Sequence, residues 1–298
     1  MILVAGSANV DFVVRAPRIP APGETVLGGA FQTFPGGKGA NQAVACARAG
    51  GARTRMLLAV GADGFAQTLE ASLLSAGVDL HLVRAPDRAT GTAFICVSDA
   101  GENAITVAPG ANDALAPADL PSLDGVGHLL LQLETPIETV LASARAARAA
   151  GVKVALNAAP ARALPAELVA SIDVLVVNEG ELAAIAGAGT LEERLARLEV
   201  PLVVVTLGAR GSLARAGGAL VAQPAFAVDV VDTTAAGDTF AGVLVAALDE
   251  GIPVPEALRR ASAAAALACT RPGAQASIPT RTELETFLAS ASASNGAR

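Results

Sequence analysis

Short runs rich in leucine and β-branched residues recur along this 298-residue chain, and most lead into a helical pattern. "ILVAG" opens the sequence. "TRMLLAVG" precedes "FAQTLEASLLSAG", and "HLLLQLE" precedes "IETVLASARAARAAG". "KVALN" and "DVLVVN" follow, the second running into "EGELAAIAG", and "PLVVVTLG" comes later. This alternation predicts an α/β fold, a mostly parallel central sheet covered by helices on both faces. Ligands of such sheets gather at the carboxyl ends of the strands. Asn9 and Asp11, Glu134, Asn157, Asn178 and Glu181, and Thr206 all fall at those ends. One edge of the sheet is therefore the expected site.

Two segments break the rhythm. Residues 12–34 are extended and punctuated by proline, and residues 90–108 read as a hairpin turning at "DAGEN". Neither suits a helix-covered sheet, so a small accessory β-sheet is expected, placed as a lid beside the strand ends. The rest reads as one domain over 1–298, ending in two helices around an irregular loop, with "SASNGAR" expected to fray. No internal repeat or linker interrupts it.

Composition limits the partners. Hydrophobic residues make up 52% of the chain, enough for a sizeable core without staples. The net charge of −7 argues against a broad nucleic-acid surface while leaving room for a local nucleotide pocket. Cys46, Cys96 and Cys269 lie apart in apolar runs, as buried small residues of a reducing cytoplasm would. The apolar runs are short or interrupted, so no membrane span is expected, and "MILVAGSANVD" reads as a first strand rather than a signal peptide.

The stretch "TTAAGDTFAG" (233–242) poses the chemical question. Phe240, Val243, Leu244 and Ala247 recur at helical spacing, and Gly251 stands where a C-cap belongs. Asp238 then lies in the first turn, where an acid suits the helix dipole or caps the end. The near-bare residues Ala235, Ala236 and Gly237 also leave backbone N–H groups open to a phosphate. The ten residues alone leave both readings open. Elsewhere there is no G-x-x-x-x-G-K-[ST], no G-x-G-x-x-G after the first strand and no G-x-S-x-G. The two histidines, His81 and His128, sit in extended runs and read as structural, which leaves proton transfer to a carboxylate.

Set beside "GSANVD" (6–11), "FPGGKGANQA" (34–43), "QLETP", "VNEGE", "VTLGARG" (205–211) and "TRPGAQASIP", the stretch "DTTAAGDTF" makes an ordered set. In that order the chain resembles the ribokinase/PfkB-type sugar kinases, from residue 1 to about residue 288. The resemblance implies ATP-dependent phosphorylation of D-ribose at the 5-hydroxyl, with Asp238 as general base. It also implies an anion hole at the N–H groups of Ala235, Ala236 and Gly237. Asn9, Asp11, Gly37, Lys38, Asn41 and Glu134 are then the substrate-binding set, Lys38 also lying near the transferred phosphate. Asn178, Thr206, Gly208, Gly211 and Gly237 are the ATP-binding set, with Glu181 organising Mg2+ through water. A K+ site would be formed by Asp232, Thr234, Ala268, Arg271, Gly273 and Ser277, mostly through carbonyls. A homodimer through the lid is implied as well. Two positions depart from the pattern: Ala62 and Ala66 replace an acid and a glycine, which bears on lid contacts. Each assignment has a plainer alternative: turn-forming Asn9 and Asp11, first-turn acids at Glu179 and Glu181, a simple loop around Gly273. At the level of function the rivals are a sister kinase for another sugar or a nucleoside, and a non-catalytic sugar-binding regulator. Two carboxylates suit a polyol, since each accepts several hydroxyl donors, and retention of Asn9 and Asp11 favours ribose over 2-deoxyribose.

Overall fold

The computed structural model describes residues 1–296. Its strands are β1 (Ile2–Ala5), β2 (Asn9–Ala16), β3 (Phe31–Gly36), β4 (Thr54–Val60), β5 (Val78–Arg84), β6 (Gly91–Ser98) and β7 (Asn103–Ala108). β8 (His128–Leu131), β9 (Lys153–Asn157), β10 (Val174–Asn178), β11 (Leu202–Thr206), β12 (Ser212–Ala216) and β13 (Ala219–Gln223) follow. The helices are α1 (Lys38–Val44), α2 (Gly64–Ser75), α3 (Ile137–Ala149), α4 (Ala166–Val169) and α5 (Glu179–Ala186). α6 (Leu191–Ala196), α7 (Ala236–Asp249), α8 (Val254–Ala268) and α9 (Arg281–Gly296) complete them. The segment expected to fray is helical as far as Gly296, and residues 297–298 lie outside the described residues.

The main sheet runs β13-β12-β11-β10-β9-β8-β1-β4-β5, parallel from β11 to β5, with β12 and β13 added antiparallel at one edge. Its inner strands are buried on both faces, which is why they read as unbroken apolar runs. Alternate residues feed two cores. Ile2 and Val4 pack with α1, α2, α7 and α8 residues, while Leu3 and Ala5 pack with α3, α4 and α5 residues. The antiparallel hairpin β12–β13 has no counterpart in the expected alternation. Its turn is Gly217–Gly218, both at positive φ, which lets two short strands reverse tightly.

β1 is the switch point of the sheet. From it the chain steps to β4 and β5 on one side, then returns to β8, β9, β10 and β11 on the other. The crevice at its carboxyl end, between β1 and β8, is where a ligand is held in an open α/β sheet.

The second sheet has the order β3-β2-β6-β7, with β2 parallel to β6 and antiparallel to β3. It grows directly from β1, since only Gly6–Ala8 separate β1 from β2. Asn9 and Asp11 therefore lie at its root. Phe12, on the opposite face of β2, stacks on Phe31 and Phe94 with ring centroids 5.9 and 5.3 Å apart and meets Phe65 of α2 edge-on at 5.4 Å.

Helix α7 packs closely on α1 and the π-helical turn Ala45–Ala49 that prolongs it. Gly242 makes this possible. A Cβ there would lie 2.6 Å from both Ala45 Cβ and the Gln42 carbonyl oxygen. The close approach sets the first turn of α7, one turn upstream, against Asn41 and Gln42.

Candidate active site

The first turn of α7 decides between capping and chemistry for Asp238. Ala235 occupies the N-cap position in the left-handed region (φ 59°, ψ 9°) and offers no side-chain cap. Asp238 does not cap the helix either. Its carboxylate is buried and turned to α1, accepting Asn41 Nδ2–H on Oδ2 and Gln42 Nε2–H on Oδ1, both at 2.9 Å. Those bonds orient an acceptor at the floor of a cavity of about 230 Å³. The cavity is lined by, among others, Lys38, Asn178, Glu181, Thr206, Gly237 and Asp238.

The backbone N–H groups at this turn differ from the expected trio. Ala236 N–H is bonded to the Thr233 carbonyl at 3.2 Å, because the left-handed Ala235 folds the chain back on itself. Among the described residues, no acceptor is taken by Ala235 N–H or Gly237 N–H, and both residues line the cavity. Within the expected trio Ala235 N–H and Gly237 N–H are open to an anion, and Asp238 N–H, the next in the turn, likewise has no acceptor among the described residues.

On the other side of Asp238 lies a polar set from the lid root and the switch point. Ser7 Oγ–H donates to Glu134 Oε2 at 2.6 Å, and Lys38 N–H donates to the same oxygen at 3.1 Å. Glu134 is thereby fixed across the β1–β8 crevice with Oε1 still unbonded. Asn112 Nδ2–H donates to Asn9 Oδ1 at 2.7 Å, and Asn112 Oδ1 accepts Ala8 N–H at 3.0 Å. This sets the Asn9 amide so that its Nδ2 is left to face a ligand. Asn41 Oδ1 is buried without a partner. Asp11 is 7% exposed, and no group among the described residues donates a hydrogen bond to its carboxylate. Gly36 is pressed against it: a Cβ there would lie 2.1 Å from Asp11 Oδ2. Gly37 begins α1 at φ 87°, a conformation that only glycine adopts at no cost. Buried acceptors without partners mark a place where a ligand completes the hydrogen bonding.

Charge binds the two halves together. Burial opposes the charge on Lys38, but Asp238, Glu134, Glu181 and Asp11 together outweigh it and hold the ammonium above its ordinary value. Asp11 is pushed up to about 7, first by burial and then by Glu134 and Asp238, with Lys38 opposing. Burial also raises Glu181, against the Asn178 N–H bond and Lys38. Four carboxylates thus surround one ammonium.

Asn178 and Glu181 cap α5 reciprocally. Asn178 Oδ1 accepts Glu181 N–H, and Glu181 Oε2 accepts Asn178 N–H, both at 2.8 Å. The other Glu181 oxygen is unbonded. Of "TLGARG", Thr206 lines the cavity, whereas Gly208 and Gly211 shape the turn behind it. Gly208 and Gly211 have φ of 57° and 94°, and Leu207 N–H bonds the Gly211 carbonyl at 2.8 Å.

Asp232, Thr234 and Gly273 are brought together. Asp232 Oδ1 accepts from Thr234 N–H and Oγ–H at 2.9 and 2.7 Å, and Oδ2 accepts from Gly273 N–H at 2.9 Å. Burial alone would raise Asp232, but these bonds hold its carboxyl below the usual range. Ala268 carbonyl accepts Arg271 N–H at 3.3 Å, Ser277 Oγ–H turns to the Ala274 carbonyl at 2.8 Å, and the Arg271 side chain pairs with Glu283. The lid reaches this loop through Phe34, whose ring lies 3.4 Å from where a Cβ would stand on Gly273.

Ser7, Gln42 and Asn112 hold site residues in place without having been singled out from sequence. Gln42 had a signal, being the immediate neighbour of Asn41 in "GGKGANQA". Ser7 lay within "GSANVD", two residues before Asn9, whereas Asn112 had no signal; their partners are 127 and 103 residues away. His128 Nδ1 pairs with Asp249 at 2.8 Å, outside this site. Cys46 is buried, but Cys96 and Cys269 are only half-buried. No helix among the described residues is long and apolar enough to cross a membrane.

A family model described as pfkB family carbohydrate kinase matches residues 1–281. The chain belongs to that family. Within it, the chain is 40% identical to a ribokinase from Haemophilus influenzae, over 96% of this chain and 98% of that protein. It is also 40% identical to a ribokinase from Bacillus subtilis, over 96% and 99%. A solved structure of Arabidopsis thaliana ribokinase complexed with ribose and ATP superposes with a TM-score of 0.87 at 35% identity, covering 96% of this chain and 98% of that one.

Proposed function

We propose that this family member phosphorylates D-ribose at its 5-hydroxyl, using ATP and giving ribose 5-phosphate and ADP. The observation that carries this reading is the placement of Asp238. A buried, amide-held carboxylate stands between a set of polyol-binding groups and a cavity with open backbone N–H groups. The family relatives and the ribose- and ATP-bound neighbour supply the chemical identities.

Asn9, Asp11, Asn41 and Glu134 orient the sugar, the two carboxylates accepting from its hydroxyls. Asp238 takes the proton of the 5-hydroxyl as that oxygen forms its bond to the γ-phosphorus and the bond to the β-phosphate oxygen breaks. Gly237 N–H, Ala235 N–H and the start of α7 meet the charge on the transferring group, with Lys38 beside it. Asn178 and Thr206 line the nucleotide side.

The donor set also fits a divalent cation that arrives with the nucleotide. Four carboxylates around one lysine would repel a polyphosphate, and Glu181 keeps a free oxygen at the cavity wall. Mg2+ keeps several of its own waters, so a single carboxylate such as Glu181 can hold it through water. Mg2+ would neutralise phosphate charge, with Glu181 holding its waters. K+ would sit where the loop 268–277 meets Asp232 and Thr234, supporting the anion hole from behind.

The test is ADP release with Mg-ATP across ribose, 2-deoxyribose, fructose, adenosine and pseudouridine, in KCl and again in NaCl. Ribose is expected to give the highest kcat/KM and KCl the faster rate. A different leading acceptor refutes the substrate, and equal rates in the two salts refute the K+ site.

The lid sheet exposes Phe31 and Phe94 around an apolar groove of about 500 Å³. A second copy covering it through the lid makes the working form a homodimer. Light scattering at micromolar concentration should give twice the chain mass, and a strictly monomeric mass would exclude the dimer.

A further inference from the structure

The direction of every hydrogen bond behind Asp238 can be deduced. Asn157 Nδ2–H donates to the Val176 carbonyl at 3.2 Å, and a backbone carbonyl can only accept. Asn157 must therefore present Oδ1 to Gln42. The Asp238 oxygens also serve as acceptors. Gln42 stands between them, its Nε2–H group 3.0 Å from Asn157 Oδ1 and 2.9 Å from Asp238 Oδ1. With its nitrogen committed to both, Gln42 Oε1 has to face a donor, and Gln132 Nε2–H supplies it at 2.7 Å. Gln42 and Gln132 are fully buried, so no water competes for these groups. The network runs in one direction, from Gln132 through Gln42 to the carboxylate.

We infer that Gln42 is a positioning residue for the base: its amide, locked by Gln132 and Asn157, holds Asp238 Oδ1 as an acceptor and aims the remaining lone pairs at the sugar. This rests on the kinase reading above. Gln42 itself is not among the residues that line the cavity and reaches it only through Asp238 and Asn157, so its effect belongs to the chemical step rather than to binding. Asn41 holds Oδ2 in the same way. A carboxamide cannot exchange a proton as a carboxyl can, so Gln42 gives Asp238 no relay for the proton it takes.

Gln42→Glu tests the idea because it keeps shape and reverses one donor. The new carboxyl would face Asp238 Oδ1 and Asn157 Oδ1, acceptor against acceptor, and two carboxylates so placed share a proton. The other charged groups around Asp238, namely Lys38 of α1, Asp11 of β2, Glu181 of α5 and Glu134 after β8, are unchanged. The acid limb of the kcat–pH profile should move up by about one pH unit or more. At pH 7 kcat should fall about 10- to 100-fold, with KM for ribose within about threefold. Gln42→Asn keeps the chemistry but shortens the reach, and should lose about tenfold in kcat without moving the limb.

A purely structural role would shift thermal stability or KM and leave the limb in place. A folded Gln42→Glu enzyme with the parent's kcat and acid limb overturns the inference. Should that variant not fold, Gln132→Leu releases Gln42 Oε1 and should lower kcat several-fold at constant KM. A parental kcat in Gln132→Leu then overturns it. Absence of ribose-dependent turnover in the parent would instead overturn the kinase reading itself, and this inference with it.

Discussion

Asp238→Asn lowers kcat for ribose by about 10²- to 10⁴-fold and leaves the ribose dissociation constant within about tenfold. The carboxamide has nearly the same shape but cannot take the proton of the attacking hydroxyl. It also meets a pocket built for two acceptor oxygens, since Asn41 Nδ2–H and Gln42 Nε2–H both point at it from 2.9 Å. An asparagine must turn its own NH2 toward one of them, so one buried hydrogen bond is lost. That costs about 1–3 kcal/mol of folding stability. A coupled ADP assay, calorimetric titration with ribose and urea denaturation measure the three quantities. A folded variant retaining more than a tenth of the parental kcat would remove Asp238 from the role of base.

Asp11→Asn is expected to weaken ribose binding by about 10²- to 10³-fold while making the free protein more stable at alkaline pH. Asp11 titrates at about 7 in the fold, from an ordinary value of 3.8, chiefly because it is buried and then because Glu134 and Asp238 are near. The folded protein therefore holds this proton more tightly than the unfolded chain does. The resulting stability is fully present below pH 3.8 and is lost as pH rises through about 7. Above that, an ionised Asp11 is a burden of order 2–4 kcal/mol, which the amide removes. Urea denaturation should show the variant more stable than the parent at pH 8 and the gap closing toward pH 5. Ribose affinity of the parent should fall from pH 8 to pH 6, since the sugar hydroxyls donate to the ionised form, and stay flat in the variant. Equal stability of the two proteins at pH 8 would contradict the account. The stability forgone in the free protein is the counterpart of a binding group left without a partner until sugar arrives.

The architecture was legible because it depends on local patterns. Runs such as "VLVVN" and "LVVVT" announce inner strands of a parallel sheet, and the helical periods between them announce the crossovers. The lid was legible as the two stretches that broke the pattern. The hairpin β12–β13 was not, although Gly217–Gly218 supplied a turn signal between two short runs. Those strands form the antiparallel edge of the sheet and are not followed by the helical pattern that marked the inner ones.

Site residues fell into two groups for a physical reason. Asn9, Asp11, Glu134, Asn178 and Glu181 sit at strand ends, and a strand end can be read from sequence. Their neighbours Ser7, Gln42 and Asn112 act through hydrogen bonds to residues distant along the chain, and no spacing rule reports those. Ala236 N–H, one of the expected trio at the start of α7, is turned back to the Thr233 carbonyl by a backbone conformation at Ala235 that alanine rarely adopts.

By itself, then, the amino-acid sequence determined the sheet, its helices and the ordered motifs that mark the family. Periodicity and turn chemistry act over a few residues, so they are written locally. Only the tertiary structure decided whether Asp238 caps its helix or turns its carboxylate to α1 at the cavity. That choice depends on Gly242 letting α7 settle against α1, which delivers two amide donors from residues almost two hundred positions away. A carboxylate's role is set by the groups that surround it, and those groups meet only when the chain is folded.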